Sequence, residues 1–145
     1  MTATEYLIDV LGGASVFKGR AVPTSAELRG RIKKGLPYRS LESVRERLQL
    51  SVPEAVSVLH MPVRTLARRR QTRKLDADES DRLYRIARVA AHAFVVFGTE
   101  DRAATWLRRP NRALNGELPL ELLDTDVGAR QIEDVLGRIE HGVVS

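Results

Sequence analysis

The chain has 145 residues and no cysteine, with 43% hydrophobic and 30% charged side chains. That composition suits a globular protein of one domain, or two small ones sharing a core, and excludes disulfides and thiolate metal sites. The net charge of +5 conceals a division: residues 1–75 carry fifteen Lys/Arg against six Asp/Glu, and residues 76–145 nine against thirteen. A basic half favours polyanions and an acidic half is repelled by them, so the division predicts two different partners.

Helical signals run the length of the chain and predict an all-α fold. The N-terminal MTATEYLIDV lacks the positive region and apolar stretch of a signal peptide, and no apolar run approaches the ~18 residues of a membrane span. A cytoplasmic protein is expected. YLIDVLGG is a short apolar run stopped by Gly12 and Gly13. Thr24 and Glu27 form a capping-box pattern ahead of Leu28 and Ile32, and this helix stops at Gly35 and Pro37. SLESVRERLQL predicts a helix from Ser40, with Leu41, Val44 and Leu48 on one face. Ser51 with Glu54 repeats the capping pattern, with Pro53 in the first turn, where its missing N–H does no harm.

PVRTLARRRQTRK, residues 62–74, holds six basic residues and no acidic one. At 100° per residue, Val63, Leu66 and Ala67 fall on one side, with Arg70 between them, while Arg64, Thr65, Arg68 and Arg69 fall on the other. With the preceding short helix this is similar to a helix-turn-helix, in which Val56, His60 and Leu66 take the small-residue, turn and buried-aliphatic places. A short helix there braces a second one whose exposed residues enter the major groove, and arginines pair with guanine or clamp phosphate. Arg64, Thr65, Arg68, Arg69, Arg73 and Lys74 are the candidate DNA contacts. His60 stands where the left-handed backbone favours glycine, which predicts a turn of different shape.

Asp76 and Glu79 open the longest helical stretch, along which Leu83, Ile86, Ala90, Ala93 and Phe97 recur at helical spacing. From Val89 to Phe97 it is apolar nearly all round, so it is the expected central helix, with part of it free to face another copy. Thr99 caps the next helix and Pro110 ends it. Asn115-Gly116 and Pro119 mark a turn-rich connector, and the last helix runs from Asp126 to His141. His60, His92 and His141 have no partner at helical spacing, and no phosphate-loop, Ser/His/Asp or metal constellation is present. No enzyme, cofactor or metal is expected. Trp106 reads first as core packing, although a contact role stays open for it and for Asn111. Gly142 is a helix stop followed by two valines that gain nothing in water, so the tail is either idle or partnered.

The motifs RTLARRR, ESDRLYRIARV and WLRRPNRALNGELPLELLDTDVGARQIEDVLGRIEHGVVS resemble Xre/MbcA/ParS-type antitoxins, the partners of RES-domain toxins. The resemblance covers about residues 35–145 and is most specific from Trp106 to Gly142. It implies a DNA-binding half over residues 1–75 and a toxin-binding half over residues 76–145, in a homodimer. The toxin it implies consumes NAD⁺ or uses it to modify a target. The antitoxin would occlude that active site and repress its own operon by binding operator DNA. Arg138, Glu140, His141, Gly142, Val143, Val144 and Ser145 are then the expected toxin contacts. The two valines would fill an apolar throat, each contributing about 1.5–3 kcal/mol if fully buried, and Ser145 with the terminal carboxylate would meet basic residues of the toxin. The competing reading is a helix-turn-helix transcription regulator whose C-terminal half only dimerises or senses a ligand.

Overall fold

The most apolar stretch of the sequence becomes the axis of the molecule. The computed structural model describes residues 1–18 and 22–142. Among these, the helices in chain order are α1 (Ala3–Val10), α2 (Ser25–Lys34), α3 (Tyr38–Leu48) and α4 (Val52–Leu59), then α5 (Val63–Thr72), α6 (Ala77–Phe97), α7 (Glu100–Leu107) and α8 (Asp126–Glu140). Short 3-10 turns occupy Gly13–Ser15, Arg112–Leu114 and Pro119–Asp124. No strand forms among the described residues; extended pairing is confined to isolated bridges between Pro37 and Lys74 and between Asn111 and Glu117. The fold is all-α.

Local chemistry explains the helix starts. All three expected capping boxes form: Thr24 with Glu27, Ser51 with Glu54, and Asp76 with Glu79. In each, the cap side chain accepts the third backbone N–H while the glutamate accepts the cap's own N–H, satisfying two donors the helix leaves free. The start of α3 differs from expectation. It begins at Tyr38 after Pro37, because Ser40 is not a cap: its hydroxyl is buried and donates to the Leu11 carbonyl at 2.6 Å.

The core is one continuous cluster running from Leu7 to Leu136. Helix α6 sits in its middle, touching α1, α2, α3 and α4 from the basic half of the sequence and α7 and α8 from the acidic half. Leu83, Ile86, Ala90 and Ala93 are buried as expected, while Phe97 is half-buried against Trp106. Helix α1 lies along α6 with Leu7, Ile8 and Val10 inward, and Tyr6 meets Phe94 edge-on at 5.9 Å.

Two glycines permit close backbone approaches. At Gly35, with φ of 97°, a Cβ would stand 2.1 Å from the Leu75 carbonyl oxygen. The chain entering α3 is laced there to the chain leaving α5: Tyr38 N–H donates to Arg73 O at 3.0 Å and Leu75 N–H to Leu36 O at 2.9 Å. At Gly128, in the first turn of α8, a Cβ would stand 1.9 Å from the Leu122 carbonyl oxygen.

The Leu36 N–H between those laced segments donates to the buried Ser80 hydroxyl at 2.7 Å. Ser80→Ala leaves this N–H without an acceptor away from water, and should lower unfolding free energy by about 1–3 kcal/mol. Urea unfolding measures it; an unchanged midpoint would show that the bond contributes nothing.

Candidate functional site

Helices α4 and α5 meet at a tight turn. The sequence predicted a turn reshaped by His60, but the structure corrects this. His60 adopts the left-handed conformation itself, at φ 52° and ψ 44°, and both its N–H and that of Met61 donate to Val56 O. Its ring explains why a bulky residue is held there: Nε2–H donates to the Asp124 carbonyl in the 3-10 turn before α8. The turn thus keeps its shape and is tied to the C-terminal half.

Helix α5 stands out from the body with no fully buried residue. Arg64, Arg68, Arg73 and Lys74 are exposed and Thr65 is half-buried, so five of the six expected DNA contacts remain accessible. Arg69 does not join them. Its Nε donates to Glu79 Oε1 at 2.8 Å and its Nη2 reaches Asp76 Oδ2 at 3.3 Å. The Glu79 hydrogen bond also holds the guanidinium proton more tightly than usual. Arg69 therefore anchors α5 to the cap of α6. The expected inward side is also revised: Leu66 packs on the core, but Val63 is 62% exposed and Ala67 lies in solvent. Period alone assigned those two residues inward, whereas the Arg69–Glu79 anchor rotates the helix so that they share the open face with Arg64 and Arg68.

Helix α8 turns Gly128, Ala129, Ile132, Val135 and Leu136 inward. Its flank is fastened to α6 by Arg88, which chelates Glu133 through Nε at 3.2 Å and Nη2 at 2.8 Å. One helical turn further on, His92 Nε2–H donates to Glu140 Oε1 at 3.2 Å. Of the expected toxin contacts, Arg138, His141 and Gly142 are exposed, while Glu140 is partly engaged by His92. Gly142 has a left-handed φ of 76°, consistent with the expected helix stop. Val143, Val144 and Ser145 lie outside the described residues.

Trp106 is half-buried and packs on Phe97 at 5.3 Å. Asn111 shapes its own loop: Oδ1 accepts Ala113 N–H at 2.9 Å, and its backbone pairs with Glu117 and Gly116. Arg108 bridges the two halves. Its Nη2 reaches Gln49 O at 2.7 Å and Glu54 Oε1 at 3.2 Å. Burial alone would raise the Glu54 pKa, but the Ser51 N–H and the Arg108 guanidinium outweigh it and hold the carboxyl below its ordinary value.

Residues 92–142 match the antitoxin Xre/MbcA/ParS C-terminal toxin-binding domain, and residues 27–88 match the antitoxin Xre-like helix-turn-helix domain. Antitoxin Xre of Photorhabdus laumondii is 35% identical over 116 residues, covering 79% of this chain and 78% of its own length. This chain belongs to the Xre antitoxin family. Antitoxin Xre of Pseudomonas putida is 36% identical over 117 residues, covering 80% of this chain and 72% of its own. The crystal structure of the M. tuberculosis MbcT–MbcA toxin–antitoxin complex contains a chain of the same fold. It superposes with a TM-score of 0.56 at 24% identity, over 74% of this chain and 96% of that one.

The protein is thus an antitoxin of a toxin–antitoxin system with a helix-turn-helix domain. The two matched regions meet inside α6, between residues 88 and 92. Among the antitoxin's described residues no helix is long and apolar enough to cross a membrane. No group of three or more His, Asp or Glu side chains among them could hold a metal ion.

Arg68 and Arg69 are adjacent and chemically identical, yet the structure gives them opposite roles. In the antitoxin, Arg69→Ala leaves the Glu79 carboxylate buried without its cation and should cost about 1–3 kcal/mol, whereas Arg68→Ala should leave stability unchanged. Thermal unfolding of the two variants side by side checks this; equal midpoints would remove the anchor role.

Proposed function

We propose that this antitoxin binds a RES-domain toxin that consumes NAD⁺, occludes its active site with the end of α8 and the residues after it, and represses its own operon through α5 as a homodimer. The observation that carries the toxin reading is the geometry of α8. Its inner face is locked to α6 by core packing, Arg88 and His92, while Arg138, His141 and Gly142 stand free where the toxin-binding domain match ends. A pre-organised helix end delivers the following segment to a partner without the cost of first ordering the helix. Arg138, Glu140, His141 and Gly142 form the rim on this reading, and Val143, Val144 and Ser145 enter the cleft.

The DNA reading rests on the exposed face of α5. Arg64 and Arg68, one turn apart, can pair bidentately with guanine or clamp phosphate, and Thr65 can reach a base edge or a phosphate. Val63 and Ala67 beside them present apolar surface of the kind that meets a thymine methyl group. Arg73 and Lys74 at the helix end contact phosphate. Arg69 acts by fixing the angle of α5. The half-buried Val95 and Val96 near the end of α6 offer apolar surface to a second copy.

The toxin arm is tested by expressing the product of the adjacent gene and following growth and cellular NAD⁺, with the full antitoxin and with a version ending at His141. The expected result is rescue by the full chain, and loss of rescue by the shortened one although it still binds the toxin. Equal rescue would assign inhibition to the helical surface alone. A neighbour that never depletes NAD⁺ would overturn the NAD⁺-consuming reading of the toxin.

The DNA arm is tested by binding to the region upstream of the antitoxin's own gene. Arg64→Ala and Arg68→Ala should each weaken binding by about 1–3 kcal/mol, as expected for a lost base contact. Unaltered affinity in both variants would rule out α5 as the reading helix.

A further inference from the structure

Nine of the fifteen basic residues in positions 1–75 lie outside the 62–74 segment, and the α5 reading leaves them unexplained. Some are structural: Arg45 donates to Leu50 O, and Arg47 bonds Glu100 and Asp9. Others converge. Lys18, Arg31, Lys34 and Arg39 line one open concavity of about 560 Å³ between the Gly13–Ser15 turn, α2 and the start of α3. The acid in this lining, Glu27, closes the α2 capping box.

The four cations differ in how they are held. Arg31 and Arg39 each direct one Nη2 to a backbone carbonyl, of Val16 at 2.8 Å and of Ser15. These acceptors carry no net charge, so the positions of both guanidinium groups are fixed while four cations share the lining with one carboxylate, that of Glu27. Lys18 and Lys34 are exposed, with no hydrogen bond or ion pair to a described residue. The opposite flank of α2 is different: Arg29 and Lys33 share a groove with Asp78 and Asp81, where carboxylates offset the positive charge.

The concavity also adjoins the exposed basic end of α5. The backbone lacing between Leu36–Tyr38 and Arg73–Leu75 joins the two regions, and Lys74 Cε lies 3.0 Å from where a Gly35 Cβ would stand. Positive charge therefore continues from Arg73 and Lys74 around the start of α3 into the concavity.

We propose that this concavity is a second DNA-phosphate site, in which Lys18, Arg31, Lys34 and Arg39 hold the backbone of the duplex beyond the base pairs that α5 reads. It rests on the DNA-binding reading of α5 and extends it. An open cationic hollow continuous with a basic helix matches a regularly charged polymer better than an isolated small anion, which needs enclosing donors. Such contacts carry no sequence information; they add affinity, fix orientation and steepen the dependence on salt.

The test compares three full-length proteins: the unaltered chain, K18Q/K34Q, and the charge-matched control R29Q/K33Q. Each is titrated over a salt series with a duplex from the region upstream of its own gene and with a random-sequence duplex of equal length. K18Q/K34Q should reduce the slope of log affinity against log salt by about 0.9 per lost phosphate contact on both duplexes. The ratio of the two affinities should stay constant, and R29Q/K33Q should keep the original slope. Equal slope losses in both double variants would overturn the site, because net charge would account for them. An unchanged slope in K18Q/K34Q would overturn it while leaving the α5 reading intact. Failure of the unaltered chain to bind either duplex would overturn both.

Discussion

The stretch from Val89 to Phe94 in α6 leaves only His92 toward its edge, and the arrangement of the other helices follows from covering the rest. Val89, Ala90, Ala91, Ala93 and Phe94 are all buried, which a helix lying on the surface of a bundle would not permit. The alanines matter by being small, because interaxial distance is set by the side chains at the contact. They let α1, α7 and α8 approach closely enough to share one core with the helix-turn-helix. The polar residues of α6 are used at its edge. Arg88, stacked over Tyr84 at 5.8 Å from the ring centre, and His92 hold the carboxylates of α8 and so set the direction in which that helix ends.

The two functional surfaces are consequently parts of one body. Arg108 clamps α7 to Gln49 and Glu54. Arg47 donates to Glu100 at 2.6 Å and Gln49 to Asp101 at 2.9 Å, across the start of α7. His60, in the helix-turn-helix turn, reaches Asp124 beside α8. Individually such exposed polar links contribute little stability. Together they determine how α5 sits relative to α8.

Features governed by neighbours in the chain were legible in the sequence. The three capping boxes, the Thr99 and Asp126 helix starts and the burial of α6 follow from hydrogen-bond reach and periodicity within a few residues. Features set by distant contacts were not. Ser40 reads as a helix start, although its hydroxyl is taken by the Leu11 carbonyl that the fold brings to it. Val63 and Ala67 read as inward because period gives the relative faces of a helix but not its absolute rotation, which Arg69 and Glu79 supply. A signal for that anchor did exist: a carboxylate at the third position of the next helix, ten residues from an arginine at the edge of the basic face of α5. The bridging role of Arg108 had no such signal, since its partners are more than fifty residues away.

The His60–Asp124 link bears on how members of such a family can diversify. A new toxin partner and a new operator would most simply be acquired by recombining one half of the gene with the other half of a relative. Here the turn residue whose backbone strain is relieved by its side chain depends on a carbonyl in the opposite half. A transplanted C-terminal half that displaced this carbonyl would leave a histidine in a glycine-favouring conformation without its side-chain tether. Exchange of halves is thus constrained at a turn residue that lies outside α5 and α8 themselves.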